Sequence, residues 1–497
     1  MTSAFTLLHP NDDVLIALRD ISAGAEVTPG VVASSDITAG HKLARKPVAA
    51  GEPVHRYNQI IGTASADIAV GDHVHTHNMA MAEFERDYNM CGNAQPTDYV
   101  ATPRTFMGIR RPDGRVATRN YIGVIASVNC SATAAKQVAE QFKGRLDDYP
   151  NVDGVVALTH KSGCGLDAPL EGFKLFKRAL AGYVKHPNFA HIVVIGLGCE
   201  ITNLGDILDG WPGDSLSIQE VGGTPATVAE AVRRIEAVLP EANRVEREPI
   251  PLGELKLAMQ CGGSDGHSGI SCNPALGYAV DLLVRHGGTA ILSETTECYG
   301  AEHVLTARAA SPEVGQKLVE RIKWWEAFTA GRGLVINNNP SPGNKAGGLT
   351  TIIEKSLGSI AKGGTTNLNE VYEYAEPVAA GKGLVFMDAP SFDPVGATAQ
   401  VAGGATVMVF TTGRGSAFGC KPTPSIKLID NTRMFELMPD DIDINTGTIL
   451  EGRETVEQSG EQIFERIIAV ASGEMTKSEL LGYGEEEFCP WDLGVML

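Results

Sequence analysis

No stretch of this chain approaches the ~18 consecutive apolar residues that a membrane-spanning helix needs. Positive charge is scarce: 41 Lys and Arg stand against 60 Asp and Glu, leaving a net charge of −19. That balance speaks against nucleic acid or an anionic membrane surface as a partner. The first ten residues, Met1 to Pro10, contain no Lys or Arg, so the basic start of a secretory signal is missing. No C-x-x-C pair occurs, and nine cysteines, an odd and widely spread set, do not make a disulfide framework. The expected compartment is a reducing cytoplasm, where thiols stay available for metals or for packing.

Glycine, by contrast, is plentiful at 56 of 497 residues, which suits tight turns and backbone-lined loops. The length suggests roughly three domains of about 150 residues each. Within the first eighty residues a pattern recurs: Ala17–Val27, Ala33–Leu43, Ala44–Val54 and Ala64–Val74 each hold a short extended piece, a Gly turn and an apolar position three residues on. Short strands with regular Gly turns predict a small β-rich module. Residues 79–105 lack periodicity and read as a linker. From Phe106 onward apolar strands alternate with helical patterns at Ala132–Phe142 and Pro169–Tyr183, which predicts βαβ units and a parallel sheet. The charged, proline-bearing stretch Glu236–Leu252 looks like a second boundary. A third region follows, with strands at Leu255–Gln260, Thr289–Ser293, Gly383–Met387 and Ala405–Phe410 and a helix at Thr350–Ile360. The expected fold class is therefore α/β: domains at 1–95, 96–250 and 251–497, the last two built on mainly parallel sheets. The acidic-then-apolar tail, Tyr483–Leu497, is expected to dock on a neighbouring surface.

Three cysteines, Cys130, Cys164 and Cys199, each follow an apolar run that reads as a buried strand. Ligands of open parallel sheets bind outside the carboxyl ends of the strands, so three thiols there could converge on one metal. Buried structural cysteines are the plain alternative. His160, four residues before Cys164, is a ligand, a general base or a local hydrogen-bonding residue. Cys261-Gly-Gly-Ser264-Asp265 opens a Gly/Ser loop whose backbone N–H groups can face an anion. Glu294 and Glu297, three apart after a strand, are candidate metal ligands, acid/base groups or helix-start charges. Asn344 and Lys345 sit in Asn339–Gly348, where Lys345 could take a carboxylate or abstract a proton. Arg414, in Thr411–Gly419, can hold a carboxylate bidentately. In His73-Val-His75-Thr-His77-Asn78, a strand would send all three imidazoles to one face.

With those segments in view the chain resembles the altronate/galactarate dehydratase family over nearly its whole length. The matching pieces are Gly40-His41-Lys42, His73–Asn78, Thr118-Arg119-Asn120, Gly163-Cys164, Gly196–Glu200, Cys261–Asp265, Asn339–Gly348 and Thr412–Gly415. The resemblance implies a β-clip (SAF) N-terminal domain, a middle domain used for dimerisation, and a Rossmann-like parallel sheet. It implies a homodimer or higher homo-oligomer and an iron-dependent dehydration of a sugar acid, an aldonate or aldarate such as altronate or galactarate, to the 2-keto-3-deoxy acid. Related two-subunit sulfo-lyases split 3-sulfolactate, releasing sulfite. The histidine run looks like the altronate and sulfolactate branches, whereas Tyr149–Val156 and Glu354–Lys362 look galactarate-like.

On this reading Cys130, Cys164 and Cys199 hold iron, as Fe(II) or an iron–sulfur cluster, with Mn(II) a possible substitute. A weaker arrangement puts the metal on Glu294, Glu297 and Asp265. His160 or Lys345 is the base, while Arg119, Asn120, Ser264, Asp265, Asn344 and Arg414 grip the substrate. The β-clip domain closes over the site through His41, His75 and His77. A nicotinamide oxidoreductase competes, but Gly196-Leu-Gly-Cys-Glu200 lacks the third glycine of the dinucleotide fingerprint. A sugar-acid-binding or scaffolding protein is the non-enzymatic alternative.

Overall fold

The computed structural model describes residues 4–493 apart from 82–85, 87, 165, 167–169, 202, 203 and 209, and apart from the side chains of Leu204 and Asp206. Each N-terminal repeat turns on a glycine in the left-handed region: Gly24, Gly40, Gly51 and Gly71, at φ between 80° and 90°. Only glycine adopts that conformation without a Cβ penalty, so the spacing of the glycines sets the spacing of the turns. The repeats bridge one another, Ile21 with Ile37 and Val48 with Ile68, both antiparallel. Around them lie a four-stranded sheet (order Phe5–Thr6, Val14–Ala17, Lys42–Ala44, His73–Val74) and a three-stranded sheet (Pro53–Arg56, Gln59–Ala64, Met79–Ala80).

The linker read over 79–105 is shorter: Met79–Ala80 is still a strand of the module, and between 86 and 104 the described residues contain no helix or strand. A parallel four-stranded sheet follows, in the order Gly154–Leu158, Tyr121–Ala126, Phe189–Gly196, Asp214–Ser217. Its helices include Ala132–Glu140 and Glu171–Val184; Pro169, the expected start of the second, lies outside the described residues. The stretch 236–252 is not a free connector. The helix Thr224–Ala242 continues through Pro240, burying Ile235 and Leu239, and Glu248–Pro251 is a strand. That strand pairs antiparallel with Thr105–Arg110, so the chain enters and leaves the middle unit through one ribbon.

The C-terminal sheet has seven parallel strands in the order Leu368–Tyr372, Gly383–Met387, Thr289–Leu292, Lys256–Cys261, Val407–Thr412, Ser425–Ile429, Ile444–Asn445. Every residue of Val407–Thr412 is buried, as expected where helices cover both faces of a parallel sheet. The first strand, Lys256–Cys261, is central. The chain builds outward on one side of it, then returns to lay Val407–Thr412 on the other. The order therefore reverses between these two strands, and ligands of open α/β sheets bind in the crevice at such a reversal. The tail docks as expected from its apolar residues: Trp491 is buried, its ring stacked on Trp325 at 5.3 Å. Among the described residues no helix is long and apolar enough to cross a membrane.

Candidate active site

The crevice at the reversal is where the polar loops meet. Strand Lys256–Cys261 delivers Cys261, and strand Thr289–Leu292 is followed by Glu294 and Glu297; all three are buried. Their donor atoms lie within 4.8 Å of one another. The sequence paired these carboxylates with Asp265, but Cys261 takes that place, and Asp265 instead lies beside Asp430.

Two ammonium groups complete the cluster. Lys362 Nζ is 2.7 Å from both Cys261 Sγ and Glu294 Oε2, and Lys355 Nζ is 2.7 Å from Glu297 Oε1 and 2.8 Å from Asn339 Oδ1. Neither lysine stood out in the sequence as a site residue. The available signal was that both lie in the helical stretch 352–363, seven residues apart and hence on one helical face. Asp393 adds a carboxyl: its Oδ2 lies 2.4 Å from the point where a Cβ on Gly262 would stand.

Burial raises the Glu294 carboxyl to about 7, and Lys362 only partly offsets it. Glu294 occupies the left-handed region at φ 71°, and its Oε1 is buried with no hydrogen-bond partner. A strained residue with an orphaned carboxylate oxygen marks a functional position rather than a packing solution. Burial also raises Asp393 well above its ordinary value, with Glu294 and Glu297 adding to it, which favours the protonated form. For Lys362 burial works against the charge, but Cys261 and the two carboxylates outweigh it and hold the ammonium protonated.

From Cys261 the loop runs Gly262, Gly263, Ser264, Asp265 toward a cavity of about 780 Å³ lined by Asp265, His267, Gly413 and Arg414. A side chain on Gly263 would stand 3.1 Å from Thr412 Oγ1, another buried polar atom without a partner. Arg414 is exposed and has no carboxylate partner among the described residues. One glycine-lined track therefore leads from the acid–base cluster to a free guanidinium. Asn344 Nδ2 donates to the Ser264 carbonyl at 2.7 Å, while its Oδ1 accepts from Ser341, so Asn344 shapes the loop. Lys345 follows it, half-buried.

The N-terminal module is welded to these loops. Lys42, Arg56 and Glu354 have fully buried side chains and form a triad: Lys42 to Glu354 at 2.9 Å, Arg56 to Glu354 at 2.7 Å. The same cations donate to the Gly348 and Gly266 carbonyls at 2.6 Å. Gly40 packs so closely that a side chain on it would stand 2.8 Å from the Gly347 carbonyl oxygen. His41 Nε2 lies 3.1 Å from Ala346 O, and His75 Nε2 lies 2.9 Å from Lys345 O. The three histidines of His73–His77 do not share a strand, because the strand ends at Val74. A turn begins at His75, closed by Asn78 Oδ1 accepting the His75 N–H. That turn still gathers the rings, with His41, His73 and His75 at centroid separations of 5.0–5.4 Å and His77 at 5.5 Å from His73.

Other expected site residues are occupied elsewhere. Arg119 directs all its donors inward, to Glu479 and to the carbonyls of Thr118, Val470 and Glu474. Asn120 accepts from Arg111 and donates to Asn151 and Ala242. Asn120 braces the middle unit and Arg119 ties it to the C-terminal unit, and the guanidinium keeps no donor for substrate. His160 is buried and uses both ring nitrogens, Nε2 at 2.9 Å from the Ala126 carbonyl and Nδ1 accepting from the Ser162 N–H. Burial lowers it to about 4, so the ring is neutral near pH 7, and with both nitrogens engaged it has no free lone pair for a substrate proton. Cys130, Cys164 and Cys199 do stand past the ends of adjacent parallel strands and are exposed, but their three sulfurs do not all lie within 4.8 Å of one another.

The buried neutral histidines carry a prediction. In the unfolded chain imidazole binds a proton below about 6.5; in the fold His160 does so only near 4 and His186 near 3, both lowered chiefly by burial. Their contribution to stability is complete above pH 6.5 and is lost as pH falls toward 4 and then 3, at about 1.4 kcal/mol per pH unit for each. Denaturation midpoints should drop over that window, and His160→Gln should flatten the drop. A wild-type midpoint constant from pH 7 to 4 would contradict this.

Three family models cover the chain: the altronate/galactarate dehydratase SAF domain at residues 3–82, the second domain of D-galactarate dehydratase/altronate hydrolase at 108–243, and the C-terminal domain of D-galactarate/altronate dehydratase at 252–496. An altronate dehydratase of Bacillus subtilis (strain 168) is 34% identical over 484 residues, 96% of each chain. A galactarate dehydratase (L-threo-forming) of Escherichia coli (strain K12) is 37% identical over 489 residues, 95% of this chain and 93% of that one. The (2R)-sulfolactate sulfo-lyase subunit beta of Chromohalobacter salexigens is 34% identical over 390 residues, 77% of this chain and 96% of that one. The chain belongs to the D-galactarate/altronate dehydratase family and is a hydro-lyase.

Proposed function

We propose that the chain dehydrates an aldonate or aldarate such as altronate or galactarate to the 2-keto-3-deoxy acid, at the sheet-order reversal of the C-terminal unit. The observation that carries this is the orphaned Glu294 Oε1 on a carboxyl raised to about 7, beside a fixed ammonium. A base is most effective when its pKa lies near the working pH. Glu294 takes the proton from the carbon bearing the carboxylate, and the electron pair moves into that carboxylate as an enediolate. Lys362 and Lys355 place positive charge where this anion develops. Asp393, protonated, gives its proton to the departing β-hydroxyl, which leaves as water; the enol then becomes the 2-keto acid. Arg414 grips a carboxylate at the cavity end of the track. Arg414→Ala should raise KM about 10- to 100-fold, from a charged hydrogen bond worth about 1.5–3 kcal/mol, with a smaller change in kcat. An unchanged KM in steady-state kinetics would remove Arg414 from the site.

Iron is part of the same proposal, and two donor sets offer themselves. Cys261, Glu294 and Glu297 are close enough for one ion, but two carboxylates facing two ammoniums are already balanced, so an ion enters only as an ammonium leaves. Cys130, Cys164 and Cys199 present exposed thiols, spread wider than one ion's coordination shell, and suit a cluster of several irons. Bound iron supplies a Lewis acid for the substrate's oxygens. Iron and sulfide per chain, measured after anaerobic reconstitution, separate the two. Loss of both in single Cys→Ser variants supports the thiol set; loss of one sulfide-free iron (or Mn) in Glu297→Gln supports the buried set.

The sulfo-lyase reading rests on the 34% identity to the sulfolactate enzyme subunit, since the same proton removal can expel sulfite. Sulfite from 3-sulfolactate without keto acid from sugar acids would establish it instead. The reading also carries a homo-oligomer in a reducing cytoplasm, supported by the family resemblance and the exposed thiols. A monomeric mass by light scattering would contradict the oligomer.

A further inference from the structure

At the opposite end of the C-terminal sheet, where strand Lys256–Cys261 begins, a second cavity of about 400 Å³ opens between the middle and C-terminal units. Strands rise about 3.3 Å per residue, so it lies roughly 16 Å from the Cys261 cluster along that strand. Among the described residues four cations line it, Arg115, Arg178, Lys185 and Lys256, and one carboxylate, Glu254, in a chain whose net charge is −19. Two of the cations already have partners. Arg178 reaches Glu373 and the Tyr374 carbonyl, while Arg115 reaches Asp113 and the Lys185 carbonyl. Lys256 differs. Its Nζ donates to the Val378 carbonyl at 2.9 Å and has no carboxylate within ion-pair distance among the described residues. Burial, with Arg115 adding, lowers it to about 8, as expected for an ammonium short of counter-charge. Gly404, at φ 98°, keeps the space beside that Nζ clear: a side chain there would stand 2.6 Å from it. The neighbouring His186 is neutral, lowered by burial to about 3, and does not supply the missing anion.

The walls are apolar. Val116, Val378 and Ala402 are buried and line the cavity, so it offers a carbon body a surface that a bare inorganic anion does not use. We propose that this cleft is a second binding site, for a small organic carboxylate with a short apolar body, held by Lys256 together with Arg115. Lys256 and Val378 come from the C-terminal unit and Arg115 and Val116 from the middle unit, so the occupant bridges the two. None of these residues touches the Glu294 cluster. The dehydration machinery is complete without them.

Pyruvate is a suitable probe, with inorganic phosphate as the control, in calorimetric titration of the full-length chain. Arg414→Ala serves as the background, to weaken any binding at the active site. One equivalent of pyruvate should bind saturably, and phosphate at least tenfold more weakly. Lys256→Met should weaken pyruvate at least tenfold while leaving steady-state dehydration by the otherwise wild-type enzyme unchanged. Ala181→Glu, which sets a carboxylate into the same wall, should abolish binding and provides a second test should Lys256→Met fold poorly. Equal pyruvate affinity with and without Lys256 or with Glu at 181 would overturn the proposal. So would the absence of saturable binding, or phosphate binding as tightly as pyruvate.

Discussion

Glu294→Gln should lower kcat about 10²- to 10⁴-fold, the range for loss of a general base, and leave the protein about as stable as before. Both halves follow from the same fact. Burial disfavours the charged carboxylate so strongly that its pKa rises to about 7, so a neutral amide of the same shape gives up little folding energy. The amide oxygen still accepts from Lys362, which sits 2.7 Å from Oε2 in the native cluster. What is lost is the capacity of the unpartnered oxygen to take a proton. A residue that was only structural would show the reverse pattern, a fall in stability with turnover retained per folded molecule. KM should change little, because Arg414 and the glycine loop remain.

Glu354→Ala should act through the scaffold. With a side chain fully buried between Lys42 and Arg56, it leaves two buried cations without a counter-charge, at a cost of about 3–5 kcal/mol. The cost falls on the contact between the N-terminal module and the loops around Gly266 and Gly348 rather than on any one core. Limited proteolysis should therefore cut first in residues 86–104, and turnover should fall together with the attachment. A variant that resists protease like wild type while losing activity would place Glu354 in the chemistry instead. The module behaves on this account as a fixed wall of the site, held by a buried triad, and not as a lid resting on histidines alone.

Much of the fold could be read from the chain. Glycines at regular spacing announced the N-terminal turns, and apolar runs announced the strands, because left-handed turns and doubly covered strands leave strong local marks. The loops at the strand ends were legible too, since Gly/Ser stretches after apolar runs have few structural uses. The partners were not. Glu294 and Glu297 were visible as a pair, yet Lys355 and Lys362 meet them from more than fifty residues downstream. Likewise Arg119 and His160 carry chemistry in isolation and lose it in place, because buried carbonyls, Glu479 and the Ser162 N–H take up their hydrogen-bonding groups. The histidine run failed as a strand because Asn78 closes a turn on His75, a bond that alternation alone does not reveal.

The measurement that bears most directly on the account is 2-keto-3-deoxy acid formed from altronate and galactarate by wild type and Glu294→Gln, both reconstituted anaerobically with iron. Wild type should form the keto acid and the variant should do so at a rate at least ~100-fold lower, with matched melting curves and similar KM. A Glu294→Gln enzyme that turns over at the wild-type rate would contradict it.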